Sequence, residues 1–482
     1  MTDPSRPEDP LSEGAVPPSP QQPSSEHPPL QPPAGPPPGQ PPYQPRAGQP
    51  PQPPVQYPAS GTQRPMTHQA RPVAPSERNM TLDILRGFAM LGILLVNMEL
   101  FRGAMWPVVL GEAQWDGALD RAIEFATTWF AQSKFITSFA FMFGLGTAVQ
   151  MLRAANRGDK PTGKLPRRFT ILFIIGLLHG LLVWTGDILM MYAICGFGLL
   201  LFVNMSVRKL LWWAGGMAGV LTLLGTAFGL MGYWAMTAFG DEAMGDPDAG
   251  MEFLEPALRT LMDAYQTGSY ADQVMVRLIE LPITQVASVM FAPLLFILML
   301  LGMAAAKSGM VADTGRFTRL LRRARLIGLG LGIPLNLLLA WTGGHTALMG
   351  TADPDQVAMA NLTMPVMFIA PPILAMGYLA TITLACQNPS VQEKFSPLAA
   401  VGRMAISAYL FQSIVASWFF IATGLYGEAS PTVGLALLIA IWAVLLVVCP
   451  LWLKAFRMGP VEWLWRSATY GKAQPFRNKP AA

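Results

Sequence analysis

Charge is scarce in this 482-residue chain: only 13% of its residues are Asp, Glu, Lys or Arg, and 52% are hydrophobic. A soluble domain carries about a quarter charged residues, so the composition excludes an ordinary water-exposed globule. Histidine is scarcer still. There are four, and two of them, His27 and His68, lie in a proline-rich segment. Three cysteines (Cys195, Cys386, Cys449) sit in or at the ends of apolar runs. Their spacing fits neither a zinc site nor a disulfide framework, which leaves them as small packing residues. No metal cluster, Walker motif or dinucleotide fingerprint appears, and nucleic acid is not an expected partner.

Proline is abundant but uneven, with 25 of the 44 prolines in the first 80 residues. Residues 1–78 are mostly Pro, Gln, Ser and Gly, so they bury too little apolar surface to offset the entropy of ordering. They are expected to form a disordered cytoplasmic tail. Its proline pairs offer a segment to a protein partner, although a solvated tether is the plainer reading. The segment lacks the charged start and apolar core of a signal peptide.

From residue 82 on, apolar runs of about 20 residues recur, the length that crosses a bilayer as a helix. Ten are read: about 82–101, 135–152, 169–186, 188–205, 210–236, 282–306, 324–342, 360–384, 404–424 and 432–453. The stretch 116–132 is amphipathic and is expected to lie on the surface. The acidic connection 238–281 carries a further amphipathic stretch, FLEPALRTLMDAY. Connections 153–168, 208–209, 307–325 and 454–482 are basic, whereas 102–134, 238–281, 343–359 and 425–431 are not. This alternation obeys the positive-inside rule. The reading is an all-α polytopic bundle over 79–471, with a short basic tail at 472–482. It would lie in a membrane with both termini in the cytoplasm, and such a bundle leaves room for a homo-oligomer.

Ionisable groups inside membrane helices are costly and usually face a cavity or a partner. In GLLHGLLVWTGDILMMY, His179 and Asp187 fall toward the outer face. An imidazole titrates near neutrality and can move a proton or carry an acyl group, and a carboxylate can orient it. An equally good reading has Asp187 stabilising a helix N-terminus and His179 bonding a nearby carbonyl. Asp83 and Arg86 share a helix face three residues apart. Arg86 is either a phosphate clamp or an interfacial anchor. Asn97 lies eleven residues further, roughly 16 Å along the helix. Gly144 and Gly146 suggest close helix packing. Arg403, Tyr409, Gln412 and Ser413 form a polar stripe, and His345 falls in an outer loop.

Five stretches together, LDILRGFAMLGILLVN, FMFGLGTAVQM, LLHGLLVWTGDILMMYAICG, GRMAISAYLFQS and FRMGPVEWLWRSATYG, resemble the YeiB-like family of bacterial inner-membrane proteins over roughly residues 80–471. The first stretch is also similar to heparan-α-glucosaminide N-acetyltransferase and to membrane acyltransferases that decorate surface polysaccharides. That wider resemblance implies transfer of an acyl group from cytoplasmic acyl-CoA to an outer-face acceptor, such as a cell-envelope glycan or lipid. Many such enzymes carry a histidine where this chain has Asn97, and no histidine occurs between 98 and 134. His179 is the one expected within a membrane helix. The resemblance then implies Arg86 and Arg403 on the acyl-CoA phosphates, His179 oriented by Asp187 as the base, and Asn97 on the oxyanion. No metal is called for. A proton-coupled small-molecule transporter is the rival reading, since a His/Asp pair also suits a proton relay.

Overall fold

The computed structural model describes residues 79–104, 115, 117–160, 162–239, 247–342 and 354–478. The proline-rich segment and His345 lie outside these residues. Among the described residues the fold is all-α, and the one strand-like feature is an isolated bridge between Phe456 and Arg477.

The helices are α1 (Met80–Phe101), α2 (Ala118–Phe130), α3 (Lys134–Asn156), α4 (Leu165–Leu182), α5 (Leu189–Leu199), α6 (Val207–Phe239), α7 (Pro247–Gln266) and α8 (Tyr270–Val289). There follow α9 (Ala292–Lys307), α10 (Thr318–Trp341), α11 (Pro354–Ala385), α12 (Pro389–Lys394), α13 (Ser396–Arg403), α14 (Ala405–Ala422), α15 (Pro431–Ala455) and α16 (Pro460–Tyr470).

Eight helices among the described residues are long and apolar enough to cross a membrane, and nine if the bent pair α8–α9 is one span. The chain is a membrane protein. The fourth expected run is a helix, but Leu189–Phe202 is a shorter apolar one; its 14 residues rise only about 21 Å against a hydrocarbon core of about 30 Å. The sixth run differs at its start. Its helix begins at Tyr270, twelve residues before the apolar stretch, because Gln273, Arg277 and Glu280 are buried against partners instead of facing solvent. A 60° bend then separates α8 from α9, where Pro293 brings no backbone N–H to continue the ladder. The amphipathic 116–132 stretch is α2, with no buried residue, and FLEPALRTLMDAY falls in α7.

Two close crossings position the interior. At the α3–α9 crossing a Cβ on Gly144 would strike the Met299 carbonyl, and one on Gly302 the Phe141 carbonyl. At the α1–α13 crossing, Gly87 meets the Leu398 carbonyl and Gly402 meets the Asp83 carbonyl. Small residues let helix backbones approach this closely in membranes. The three cysteines are free and buried. By contrast α6 turns Trp212, Trp213, Leu223, Phe228 and Trp234 outward, as a lipid-facing helix should.

Candidate functional site

Two polar regions stand out inside the bundle. The first is the turn between α4 and α5. His179 lies in the last turn of α4 and Asp187 just before α5; they are 4% and 1% exposed. His179 Nδ1 donates to Asp187 Oδ2 at 2.7 Å. The direction follows from chemistry, since an ionised carboxylate only accepts. The other carboxylate oxygen, Oδ1, accepts the Met190 amide at 3.0 Å, one of the donors that a helix start leaves unpaired. Asp187 thus bonds the imidazole with one oxygen and the start of α5 with the other. His179 Nε2 is buried with no hydrogen-bond partner.

Gly176 makes room for this contact. A Cβ there would lie 2.5 Å from Asp187 Oδ1 and 2.7 Å from the Met190 amide. Helix α8 holds the turn from the side. Tyr270 and Arg277 donate to the Leu182 carbonyl at 2.9 and 3.3 Å. Thr284 donates to the Thr185 carbonyl at 3.1 Å, and Gln285 to the Asp187 carbonyl at 3.0 Å. Carbonyls at the end of α4, which that helix cannot satisfy itself, thus find partners. Behind them Tyr265 donates to Glu280 at 2.6 Å; burial and that carboxylate push the Tyr265 phenol well above its ordinary range.

The second region is a cavity of about 280 Å³ at the end of the bundle where the basic connections meet. Five arginines line it: Arg86, Arg153, Arg168, Arg403 and Arg466. Arg86 is bonded to Asp83 at 2.7 Å. Arg168 stacks over Trp465 at 3.5 Å, while the Trp465 indole donates to the Arg168 carbonyl. Arg403 reaches the Arg457 carbonyl at 3.4 Å. Glu462, which also lines the cavity, accepts the Ile406 and Ser407 amides and the Ser407 hydroxyl. Burial pushes its carboxyl above the usual carboxylate range, and those hydrogen bonds pull it back. An arginine-rich concavity of this kind suits phosphate or carboxylate oxygens.

The structure thus brings Arg86 and Arg403 to one cavity and His179 and Asp187 to one hydrogen bond. Asn97 joins neither. It is half-buried on α1 and is not among the residues that line the arginine cavity. It lies one turn before Phe101, whose ring is 4.4 Å from Trp184, itself 6.5 Å from His179. Gly144 is a packing residue, whereas Gly146 opens the cavity wall beside Arg86.

The two regions share the face of α4. Arg168 and Leu172 line the cavity; His179 follows eleven residues after Arg168, about 16 Å along a helix and nearly in line with it. Leu189 and Tyr192 of α5 line the cavity too. On α14, Ile406 lines the cavity and Tyr409 packs on His179 with ring centres 5.1 Å apart. Sequence reasoning took Arg153, Arg168 and Arg466 only as topology-setting charge. The aromatic neighbour Trp465 was the available hint, since a cation–π partner fixes an arginine in a way that a solvated anchor does not need.

Residues 305–472 match a family model described as "Protein of unknown function (DUF418)". The chain is 34% identical to uncharacterised protein YxaH of Bacillus subtilis over 430 residues, covering 85% of this chain and 98% of that protein. It is 32% identical to uncharacterised protein YeiB of Escherichia coli over 419 residues, or 84% and 99% of the two chains. An uncharacterised 39.9 kDa protein of Bacillus acidopullulyticus, described by its place in an amylase 3′ region, is 26% identical over 85% and 99%. No solved structure matches. Because the similarity to YxaH and YeiB runs nearly end to end in those proteins, the chain belongs to the YeiB-like family.

Proposed function

We propose that this protein is a transmembrane acyltransferase, taking an acyl group from cytoplasmic acyl-CoA to a hydroxyl-bearing acceptor at the outer face of a bacterial cytoplasmic membrane. Both termini then lie in the cytoplasm, and so does the arginine cavity. The observation that carries this reading is the buried His179–Asp187 pair, with Nε2 unpartnered, at the far end of a helix face that begins in that cavity.

Arg86 and Arg403, with Arg153, Arg168 and Arg466 beside them, hold the phosphates of the donor. Asp187 keeps the His179 proton on Nδ1, so that Nε2 is the base. Nε2 takes the acceptor hydroxyl proton as the oxygen attacks the thioester carbonyl carbon. The C–S bond breaks, and the proton passes from Nε2 to the departing thiolate. Asn97, on α1 at similar depth, is the proposed donor to the oxyanion. The hydrogen bonds of α8 to the 182–187 turn keep the pair oriented for both proton transfers.

The test is acyl transfer from labelled CoA thioesters in membranes that carry the wild type, His179→Ala or Arg86→Ala. Transfer above background by the wild type alone supports the reading. Equal labelling in all three, with each protein folded, sinks it.

A further inference from the structure

Buried polar atoms without partners are uncommon in native proteins, and in this chain they gather on one helix. Among the described residues, eight such side-chain atoms occur, and four of them belong to α14: Tyr409 Oη, Gln412 Nε2, Gln412 Oε1 and Ser417 Oγ. His179 Nε2, beside Tyr409, is a fifth. Gln412 is 1% exposed and Tyr409 2%. The Tyr409 oxygen lies toward the Ile188 amide but makes no hydrogen bond of ordinary geometry with it. A buried amide left without partners is costly to a fold. A polar ligand that reaches it removes that cost.

The placement gives direction. Ile406, Tyr409 and Gln412 recur every three residues on α14, the spacing of one ridge on a helix, and Arg403 ends the helix just before it. Arg403 and Ile406 line the arginine cavity, and Tyr409 packs on His179. Gln412 is the next step, on the side of His179 away from the arginines. Ser417 lies further still.

The chemistry gives the class. Both oxygens of Asp187 are engaged, one by His179 and one by the Met190 amide. The unpartnered groups on α14 are all neutral: a phenol, a carboxamide and a hydroxyl. Neutral groups of this kind favour an uncharged ligand, because burying an unpaired charge is costly. A ligand with several hydroxyls, each both donor and acceptor, matches a carboxamide with its two donors and its acceptor oxygen.

Resting on the acyl-transfer reading, we infer that Gln412 and Tyr409 form the acceptor subsite beside His179, and that it takes an uncharged, polyhydroxylated headgroup of the sugar type. The arginine cavity and this subsite then approach His179 from opposite sides.

The experiment uses the full chain in lipid nanodiscs, labelled with 15N-histidine. Four histidines give few signals, and His179→Ala identifies the one from His179. Octyl β-glucoside, below its micelle-forming concentration, is titrated without any acyl donor; octylamine and octanoate are the charged counterparts. The expected result is a saturable shift of the His179 Nε2 signal with the glucoside alone. Gln412→Met should weaken that binding at least tenfold and Tyr409→Phe several-fold, with the Nδ1 signal of the Asp187 contact retained as a mark of the native turn. If Gln412→Met does not fold, Tyr409→Phe decides. No saturable shift in the wild type, an equal shift with octylamine or octanoate, or wild-type affinity in the variants overturns the subsite. Glucoside binding with no acyl transfer sinks the transferase reading alone, and acyl transfer with no glucoside shift sinks the subsite alone.

Discussion

The arginine cavity and the His179–Asp187 turn are both polar regions within apolar helices, yet they are built in opposite ways. The cavity collects charge from five segments: α1, α3, α4, α13 and α16 each give one arginine. The guanidinia of Arg86, Arg168 and Arg403 are steadied by a carboxylate, an indole face and a backbone carbonyl, and still line open volume. The turn holds one hydrogen-bonded pair, almost wholly buried, whose geometry is fixed by hydrogen bonds from a neighbouring helix. Recognition of an anion tolerates some play in each contact, because several cations share it. Proton transfer does not, because one nitrogen must meet one proton. On the acyl-transfer reading proposed above, the contrast is between a binding region and a reacting one.

The largest effect expected is on the turn. Asp187→Ala leaves the His179 Nδ1–H and the Met190 N–H buried without acceptors, and at about 1–3 kcal/mol for each unsatisfied donor it should cost about 2–5 kcal/mol, read as a lower midpoint of thermal unfolding in nanodiscs. A change below about 1 kcal/mol would mean the turn is not locked as described. Gly176→Ala comes next. Its Cβ would press on Asp187 Oδ1, and a crowded buried site loses about 1–3 kcal/mol; the 15N signals of His179 should move with it. Gln285→Ala removes the bond to the Asp187 carbonyl and should cost about 1 kcal/mol, with Gln285→Glu, which keeps an arm of that length but not the donor, no better. Smallest in stability is Arg168→Ala. Losing its stack on Trp465 costs about 0.5–1 kcal/mol, while affinity for CoA, measured by calorimetry, should fall roughly tenfold through the lost phosphate contact.

Much of the fold was legible in the sequence because hydrophobic run length and loop charge are local properties. Nine of the ten expected runs each fall largely on one helix, and the sixth takes in parts of two, α8 and α9. The limits were physical. Helix α8 hides its start behind Gln273, Arg277 and Glu280, whose polarity is cancelled by partners far along the chain, such as the Leu182 carbonyl and Tyr265. Leu189–Phe202 reads as a span by composition, but its helix gives way to a 3₁₀ turn after Leu199. In the site, the His179–Asp187 pairing could be read because eight residues separate the two in one motif. The cavity could not, since Arg86 and Arg466 are 380 positions apart and nothing local says that they meet. Charge that sets topology and charge that lines a cavity look alike until the helices are packed.

The most direct test of the contrast is steady-state acyl transfer by the wild type, Arg168→Ala and His179→Ala in nanodiscs, with acyl-CoA as the varied substrate. The account predicts a split: Arg168→Ala raises KM for acyl-CoA about tenfold with kcat nearly unchanged, as lost uniform binding does, whereas His179→Ala lowers kcat about 10²–10⁴-fold at a similar KM. Loss of kcat in Arg168→Ala with normal turnover in His179→Ala would contradict the division of the molecule into a binding cavity and a reacting turn.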